Sequence, residues 1–375
     1  MVVQQILIAS KEYKELDEYI KNNSLKKIFL VCNSSFPFLK IHNYFEKIEF
    51  HTSAKFIKFD NITPNPLYES VIEGVNIFRN EKCDSIIAVG GGSTIDVAKC
   101  IKLYSNMDTS VNYLKQVIVP NNIKLLAVPT TAGTGSEATR YAVIYYNGNK
   151  QSVSDDSCIP SAVLFDETAL ETLPEYQRRS TMMDALCHAV ESYWSINSNK
   201  ESQRYSDAAI RSILANKDAY LKNYKYGNIG MLKAANLAGK AINITQTTAG
   251  HAMCYKLTSI YGIAHGHAAA LCVSKLFPFM ADNIDKCIDT RGKKYLYSVF
   301  NRIAMAMNCP DIKSAVAKFD EIMNSLNLII PETKEEDYEI LKKSVNPERL
   351  KNNPVKLDIE IIDSLYHKIL YKEQE

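Results

Sequence analysis

Three short stretches concentrate the residues able to do metal chemistry. Thr181–Ser195 reads TMMDALCHAVESYWS, with Asp184 and His188 four residues apart. On a helix that spacing projects both side chains from one face. Alone, such a pair is ordinarily a helix-surface hydrogen bond. The later segments change its weight, because Gly250-His251-Ala252 carries one histidine and His265-Gly266-His267-Ala268 carries two more. Five of the seven histidines lie beyond residue 180, and four of those five fall in these stretches. One carboxylate and three imidazoles make a suitable ligand set for Fe2+ or Zn2+, with a position left for a substrate oxygen. The metal would act as a Lewis acid, polarising an aldehyde carbonyl or lowering the pKa of an alcohol. Nitrogen and oxygen ligands do not separate iron from zinc.

A second chemistry is written in glycine. The apolar run Asp84–Val89 leads into Gly90-Gly91-Gly92-Ser93-Thr94-Ile95-Asp96. Consecutive glycines let the backbone turn sharply and expose its N–H groups. A helix beginning there adds further donors and a partial positive charge, which together suit a pyrophosphate. Pro129-Thr130-Thr131-Ala132-Gly133-Thr134-Gly135-Ser136-Glu137-Ala138-Thr139 follows another apolar run and carries five hydroxyls for phosphate, ribose or nicotinamide amide. The cofactor-binding candidates are Gly91, Gly92, Ser93 and Asp96 from the first loop, with Thr130, Thr131, Thr134 and Ser136 from the second. No G-x-G-x-x-G follows the first strand read, Lys27–Cys32, which argues against an ordinary Rossmann dehydrogenase.

The elements that must position these groups alternate in the first half. Lys27–Cys32, Ala54–Phe59, Asp84–Val89 and Lys124–Val128 read as strands, and Phe36–Lys47, Pro66–Arg79 and Thr94–Tyr104 as helices. That order implies βαβ units and a parallel sheet, which binds ligands at the carboxyl ends of its strands. Tyr141–Tyr146 and Ala162–Phe165 are the last strands read, and helical periodicities follow almost to the end. The expected organisation is an α/β dinucleotide-binding domain over residues 1–176 and an all-α metal-binding and substrate domain over 177–375.

Composition excludes other classes. With 46% hydrophobic and 23% charged residues the chain is ordinary for a globular protein, and a net charge of +2 points to neither nucleic acid nor an anionic membrane. The amino-terminal stretch lacks a cationic region leading into a long apolar run, and no run approaches a membrane span. Nine scattered cysteines without a C-x-x-C pair read as thiols in a reducing compartment, so the cytoplasm is the expected location.

In that order, GGGSTIDVAK, PTTAGTGSEAT, the DALCHA helix and the segment from His251 to HGHA resemble the iron-containing alcohol dehydrogenase family over about residues 25–280. The resemblance implies a dehydroquinate-synthase-like fold, an NAD(P)-linked oxidoreductase acting on CH–OH, a homodimer, and Asp184, His188, His251 and His265 as the metal ligands. His267 falls outside that set. Many family members carry a second histidine four residues after the third ligand as a proton relay; here Tyr255 stands there. Tyrosine relays through its hydroxyl but is a poorer base at neutral pH, so Tyr255 and His267 are both catalytic candidates. Where NAD-preferring relatives carry an Asp after the strand, this chain has Asn33 and Ser34. Losing that negative charge removes repulsion of a 2′-phosphate, so NADPH is expected over NADH.

The stretch Asn243–Ala268, with GSEATRYAVIY, resembles the phosphonoacetaldehyde reductase branch, which makes 2-hydroxyethylphosphonate. Arg140 and Lys256 are the cations expected to meet a phosphonate. The alternatives are an uncharged short-chain aldehyde of the butanal or lactaldehyde type, or a polyol-phosphate dehydrogenase on the same fold.

Overall fold

Lys27–Cys32 (KIFLVC) and Ser85–Gly90 (SIIAVG) are nearly unbroken apolar runs, the pattern of strands covered on both faces. In the structure, a computed structural model describing residues 4–372, they sit at the centre of a six-stranded parallel sheet. Its strands are β1 (Gln5–Ile8), β2 (Lys27–Cys32), β3 (Lys55–Phe59), β4 (Ser85–Gly90), β5 (Lys124–Pro129) and β8 (Ala162–Phe165), in the order β1-β8-β5-β4-β2-β3. A separate antiparallel hairpin pairs β6 (Tyr141–Tyr146) with β7 (Asn149–Ser154). Helices α1 (Lys14–Asn22), α2 (Lys40–Glu46), α3 (Ile48–Thr52), α4 (Tyr68–Asn80) and α5 (Gly92–Tyr104) complete this part.

Period-two alternation splits the sheet into two cores. Phe29, Val31, Ile86 and Ala88 face a layer with Val71, Val75, Ile95 and Ile101. Ile28, Leu30, Ile87 and Val89 face the opposite layer with Leu16, Ile20, Ile41 and Phe45. The chain steps outward from β2 to β3, then returns to lay β4 on the other side of β2. The strand order therefore reverses between β2 and β4, where open α/β sheets form a crevice at their carboxyl ends. Asn33 follows β2 and Gly91 follows β4, so both sequence-flagged loops flank that switch point.

Three local readings are corrected. The first strand is β1, not Lys27–Cys32; it has only four residues and pairs at the far edge with β8. The helix expected over Phe36–Lys47 begins as a single 3-10 turn, Phe36–Phe38, and restarts at Lys40 after Leu39 adopts extended backbone (ψ 144°). Its Pro37 can occupy a first turn but cannot supply the N–H of a continuing helix. Strand β7, NKQSVS, went unread because it is polar and mostly exposed.

From Pro174 onward, the described residues contain helices and no named strand: α6 (Glu175–Trp194), α7 (Lys200–Leu221), α8 (Lys225–Thr245), α9 (Ala249–Tyr261), α10 (His265–Asp282), α11 (Lys293–Ala306), α12 (Ile312–Ser325), α13 (Glu335–Lys343), α14 (Pro347–Leu350) and α15 (Ile359–Ile369). Backbone packing groups residues up to Leu173 with Asn223–Leu232 as one unit, and Pro174–Lys222 with the chain from Lys233 onward as the other. The second unit is centred on α6 and α10, where Trp194, Phe277 and Phe300 pack together. No helix among the described residues is long and apolar enough to cross a membrane.

Candidate functional site

In the first unit, the glycine triplet is a fitting surface for the hydroxyl loop. A Cβ on Gly91 would stand 3.3 Å from the Thr131 methyl, and one on Gly92 would stand 3.0 Å from both Thr134 side-chain tips. A Cβ on Gly90 would collide with Thr94 at 2.3 Å. Without side chains, β4 passes into α5 while Thr131 and Thr134 close over the turn, and Thr130 N donates to Gly90 O at 3.1 Å. Gly91, Gly92, Ser93, Thr131 and Thr134 remain partly exposed, while Thr130 and Ser136 are buried. The result is an accessible N-terminus of a 13-residue helix ringed by hydroxyls, a suitable cradle for a pyrophosphate.

Asp96 and Ser136 stand behind this surface. The Ser136 hydroxyl donates to Asp96 at 2.5 Å, and Val143 N donates to its other oxygen at 2.9 Å. The fully buried Lys99 donates to Ser136 Oγ, Thr139 Oγ1 and Tyr141 O at 3.1, 3.2 and 2.7 Å. This network locks the second loop onto α5 and orients it. Lys99 was not singled out from the sequence, and its place three residues after Asp96 was its only signal. Asn33 accepts from Ser35 N and Oγ at 3.1 and 2.6 Å, a local turn that fixes the chain leaving β2. Ser34 lies within that turn.

The second unit brings Asp184, His188 and His251 together, their ligand atoms all within 4.8 Å of one another and all three residues buried. Asp184 and His188 lie one turn apart on α6, and His251 lies in the first turn of α9. His251 Nε2 is 3.4 Å from Asp184 Oδ1, and neither buried atom has a hydrogen-bond partner. Leaving such groups unsatisfied costs about 1–3 kcal/mol each. Converging, unsatisfied carboxylate and imidazole atoms fit a divalent cation. His265 begins α10 with its ring centroid 5.4 Å from His251, just outside the three-residue cluster; its Nδ1 lies 3.7 Å from Cys254 Sγ.

Glu191 is the residue that sequence reasoning missed. It is fully buried on α6, seven residues after Asp184, and its carboxylate contacts His251 Nδ1. Its other oxygen accepts from Thr248 N, Thr248 Oγ1 and His251 N at 3.1, 2.6 and 3.3 Å. It therefore caps the amino terminus of α9 and aims His251 Nε2 at Asp184, as a carboxylate behind a metal-bound histidine does. Gly250 makes this possible, since a Cβ there would lie 3.1 Å from the Glu191 carboxyl and 2.5 Å from Val273.

Electrostatics follow from this packing. Burial opposes charge on Asp184, but His188, His251 and His265 outweigh it and hold the carboxyl far below its ordinary range. Burial likewise opposes charge on His251, but Glu191 and Asp184 push it up to about 9 in the metal-free protein. The two relay candidates move away from neutrality. Burial pushes the Tyr255 phenol well above its ordinary value, and burial lowers His267 to about 4. Tyr255 stacks on His265 with centroids 5.6 Å apart, whereas His267 Nδ1 meets the Tyr176 hydroxyl at 3.0 Å.

The two candidate substrate cations have other geometry. Arg140 lies over the Tyr141 ring and pairs with Asp156 at 3.5 Å. Lys256 stands five residues beyond His251 on α9, about 140° around the helix from it.

A glycine-rich anion cradle in one unit and a buried carboxylate–imidazole cluster in the other are the equipment of a metal-assisted dehydrogenase, and known proteins agree. The chain is 28% identical over 312 residues to phosphonoacetaldehyde reductase of Streptomyces viridochromogenes, covering 79% of each. It is 28% identical over 345 residues to alcohol dehydrogenase 4 of Saccharomyces cerevisiae, covering 88% of this chain and 86% of that one. Its fold matches the crystal structure of sulfoacetaldehyde reductase from Bifidobacterium kashiwanohense in complex with NAD+ at a TM-score of 0.85, with 21% identity and coverage of 99% and 98%. The family model described as iron-containing alcohol dehydrogenase matches residues 4–167, and that of the family's C-terminal part matches 179–370. With both halves accounted for, this chain belongs to the iron-containing alcohol dehydrogenase family, oxidoreductases acting on alcohols with a dehydroquinate-synthase-like fold.

Proposed function

We propose that this protein reduces phosphonoacetaldehyde to 2-hydroxyethylphosphonate, with Fe2+ as its metal and NADPH as its preferred hydride donor. The observation that carries the reaction class is the Asp184–His188–His251 cluster backed by Glu191. The similarity to a phosphonoacetaldehyde reductase across 79% of the chain supports the substrate. When bound, NADPH would supply hydride to the aldehyde carbon and a proton would go to the oxygen, leaving NADP+ and the alcohol. A metal held by Asp184, His188, His251 and His265 would supply Lewis acidity toward the substrate oxygen. Glu191 keeps His251 in the tautomer and orientation needed for that role. Tyr255 passes a proton through its hydroxyl without ionising, and His267, neutral at pH 7, takes part only through its Tyr176 partner.

On the cofactor side, Gly91, Gly92, Ser93, Thr131 and Thr134 would hold the pyrophosphate, while Asp96, Thr130 and Ser136 shape the loops. Asn33 and Ser34, in the turn after β2, would meet the adenosine ribose of NADPH. Asn33→Asp keeps the turn to Ser35 but adds a negative charge, and is expected to move the kcat/KM preference toward NADH by roughly tenfold or more. The reaction is tested by NADPH oxidation with phosphonoacetaldehyde, butanal and lactaldehyde. Equal or better rates with the uncharged aldehydes would overturn the substrate. For assembly we propose a homodimer through the open edge of β1, where Ile6 and Ile8 are 42% and 41% exposed. Sedimentation at the mass of one chain would refute it.

A further inference from the structure

The first turn of a helix is its loosest, because its leading N–H groups have no partner in a preceding turn. A side chain there is held firmly only when something outside the helix accepts from them. Two of the ligand candidates stand in such places: His251 is the third residue of α9, and His265 is the first of α10. Neither helix caps itself, since the preceding residues, Thr248 and Ala264, make no side-chain cap. At α9 the deficit is met from α6, where Glu191 accepts from the N–H groups of Thr248 and His251.

At α10 the same two positions are met by two other residues of α6. The Tyr176 hydroxyl accepts from Ala264 N at 2.9 Å, and Ser180 Oγ accepts from His267 N at 3.0 Å. The residue before the helix and the third residue within it are the pair that a capping box satisfies, here supplied by a neighbouring helix. The Tyr176 hydroxyl also meets His267 Nδ1 at 3.0 Å, with the two rings edge to face at 81°. One phenol oxygen therefore joins the residue just before His265 to the second residue after it. Tyr176, Ser180, Asp184 and His188 recur at every fourth position of α6, so the anchors of α10 and two metal-ligand candidates share one stripe.

We propose that Tyr176 is a positioning residue for the metal centre, its hydroxyl clamping the first turn of α10 so that His265 is presented to Asp184, His188 and His251. This rests on the reading of His265 as a metal ligand. It gives His267 a task of its own, which is to fix the Tyr176 hydroxyl from the other side. Helix α6 thus carries Asp184 and His188 and also the groups that hold the two helices bringing the remaining histidines.

The test uses the full chain with Co2+ as the probe metal, its affinity read by competition with a chelator. The proteins compared are wild type, Y176F, H265A and the double variant. Y176F removes one oxygen and keeps the ring against His267. It should weaken Co2+ binding by roughly 3- to 10-fold, the worth of one hydrogen bond. It should also lower kcat of the iron-loaded enzyme with KM for NADPH unchanged. In the H265A background the same change should weaken Co2+ binding by less than about twofold, because the clamp then positions no ligand. An equal loss in both backgrounds marks a merely structural role and overturns the clamp, as does an unchanged affinity in Y176F. H265A with wild-type affinity overturns His265 as a ligand, and the proposal with it. In the unmodified protein the half-buried Ala264 amide should exchange with solvent at least about tenfold more slowly than an open amide. Exchange at the open rate overturns the clamp even where Y176F does not fold.

Discussion

Gly266 stands between His265 and His267 at the point where α10 meets α6, and replacing it by alanine tests how the metal centre is built. A Cβ there would lie 2.2 Å from Ser180 O, 3.0 Å from Ser180 C and 2.6 Å from Asp184 Cβ. Ordinary contact begins near 3.4 Å, so the backbones must part by about 3.4 − 2.2 = 1.2 Å. The carbonyl cannot rotate away, because Ser180 lies within α6, and the Ser180 hydroxyl also accepts from His267 N at 3.0 Å. Overpacking of this kind costs about 1–3 kcal/mol, which for a unit of this size lowers Tm by roughly 3–10 °C. The shift also draws His265 away from Asp184, and an ångström of misplacement costs about 100-fold in turnover. Gly262→Ala provides the control. Gly262 has φ +66° with nothing within 4 Å of an added Cβ, so it should lose about 1 kcal/mol through backbone strain without losing metal. The assays are iron content by mass spectrometry, thermal unfolding and steady-state reduction. A Gly266→Ala protein with wild-type metal content, Tm and turnover would refute close helix approach as the source of the ligand geometry.

Glu191→Gln should weaken metal binding by about 10- to 100-fold while preserving the fold, read by competition with a chelator; unchanged affinity would remove Glu191 from its orienting role. Metal binding should expel about one proton at neutral pH, because His251 titrates at about 9 without metal and must be neutral to ligate. Apparent affinity should therefore rise about tenfold per pH unit up to 9 and then level, and calorimetry in two buffers of different ionisation enthalpy counts the proton. In the metal-free protein the sign is opposite: the raised His251 value stabilises the fold fully below 6.5, and that contribution is lost as pH rises through 9. Gly92→Ala should push on Thr134 from 3.0 Å and weaken NADPH binding by roughly tenfold, measured by cofactor fluorescence.

How far the fold was legible depended on burial. Strands β2, β4 and β5 announce themselves because both faces of a parallel sheet are covered, and their apolar runs need no partner to be recognised. Strand β1 is an edge, half-exposed and four residues long, and β7 is a polar ribbon, so neither carries a periodic signal. The helical part is legible as helices, but its packing is not, because the approach of α10 to α6 depends on one absent side chain at Gly266.

The site divides along the same line. Asp184, His188, His251 and His265 are conspicuous as residue types, since a carboxylate–histidine pair at helical spacing gains metal-binding weight once two later stretches add further histidines. Glu191 sits two turns further along the same helix yet reads as a solvated acid, the ordinary fate of glutamate. Its role appears only when α9 brings the Thr248 and His251 N–H groups to it across nearly sixty residues. Those donors, with the His251 ring, explain how a fully buried carboxyl is held below its ordinary range despite the cost of burial. Ligands are chosen for their chemistry and are visible as types, whereas the groups that aim them are chosen for position. A Glu→Gln change at position 191 should therefore alter metal affinity while every ligand remains in place.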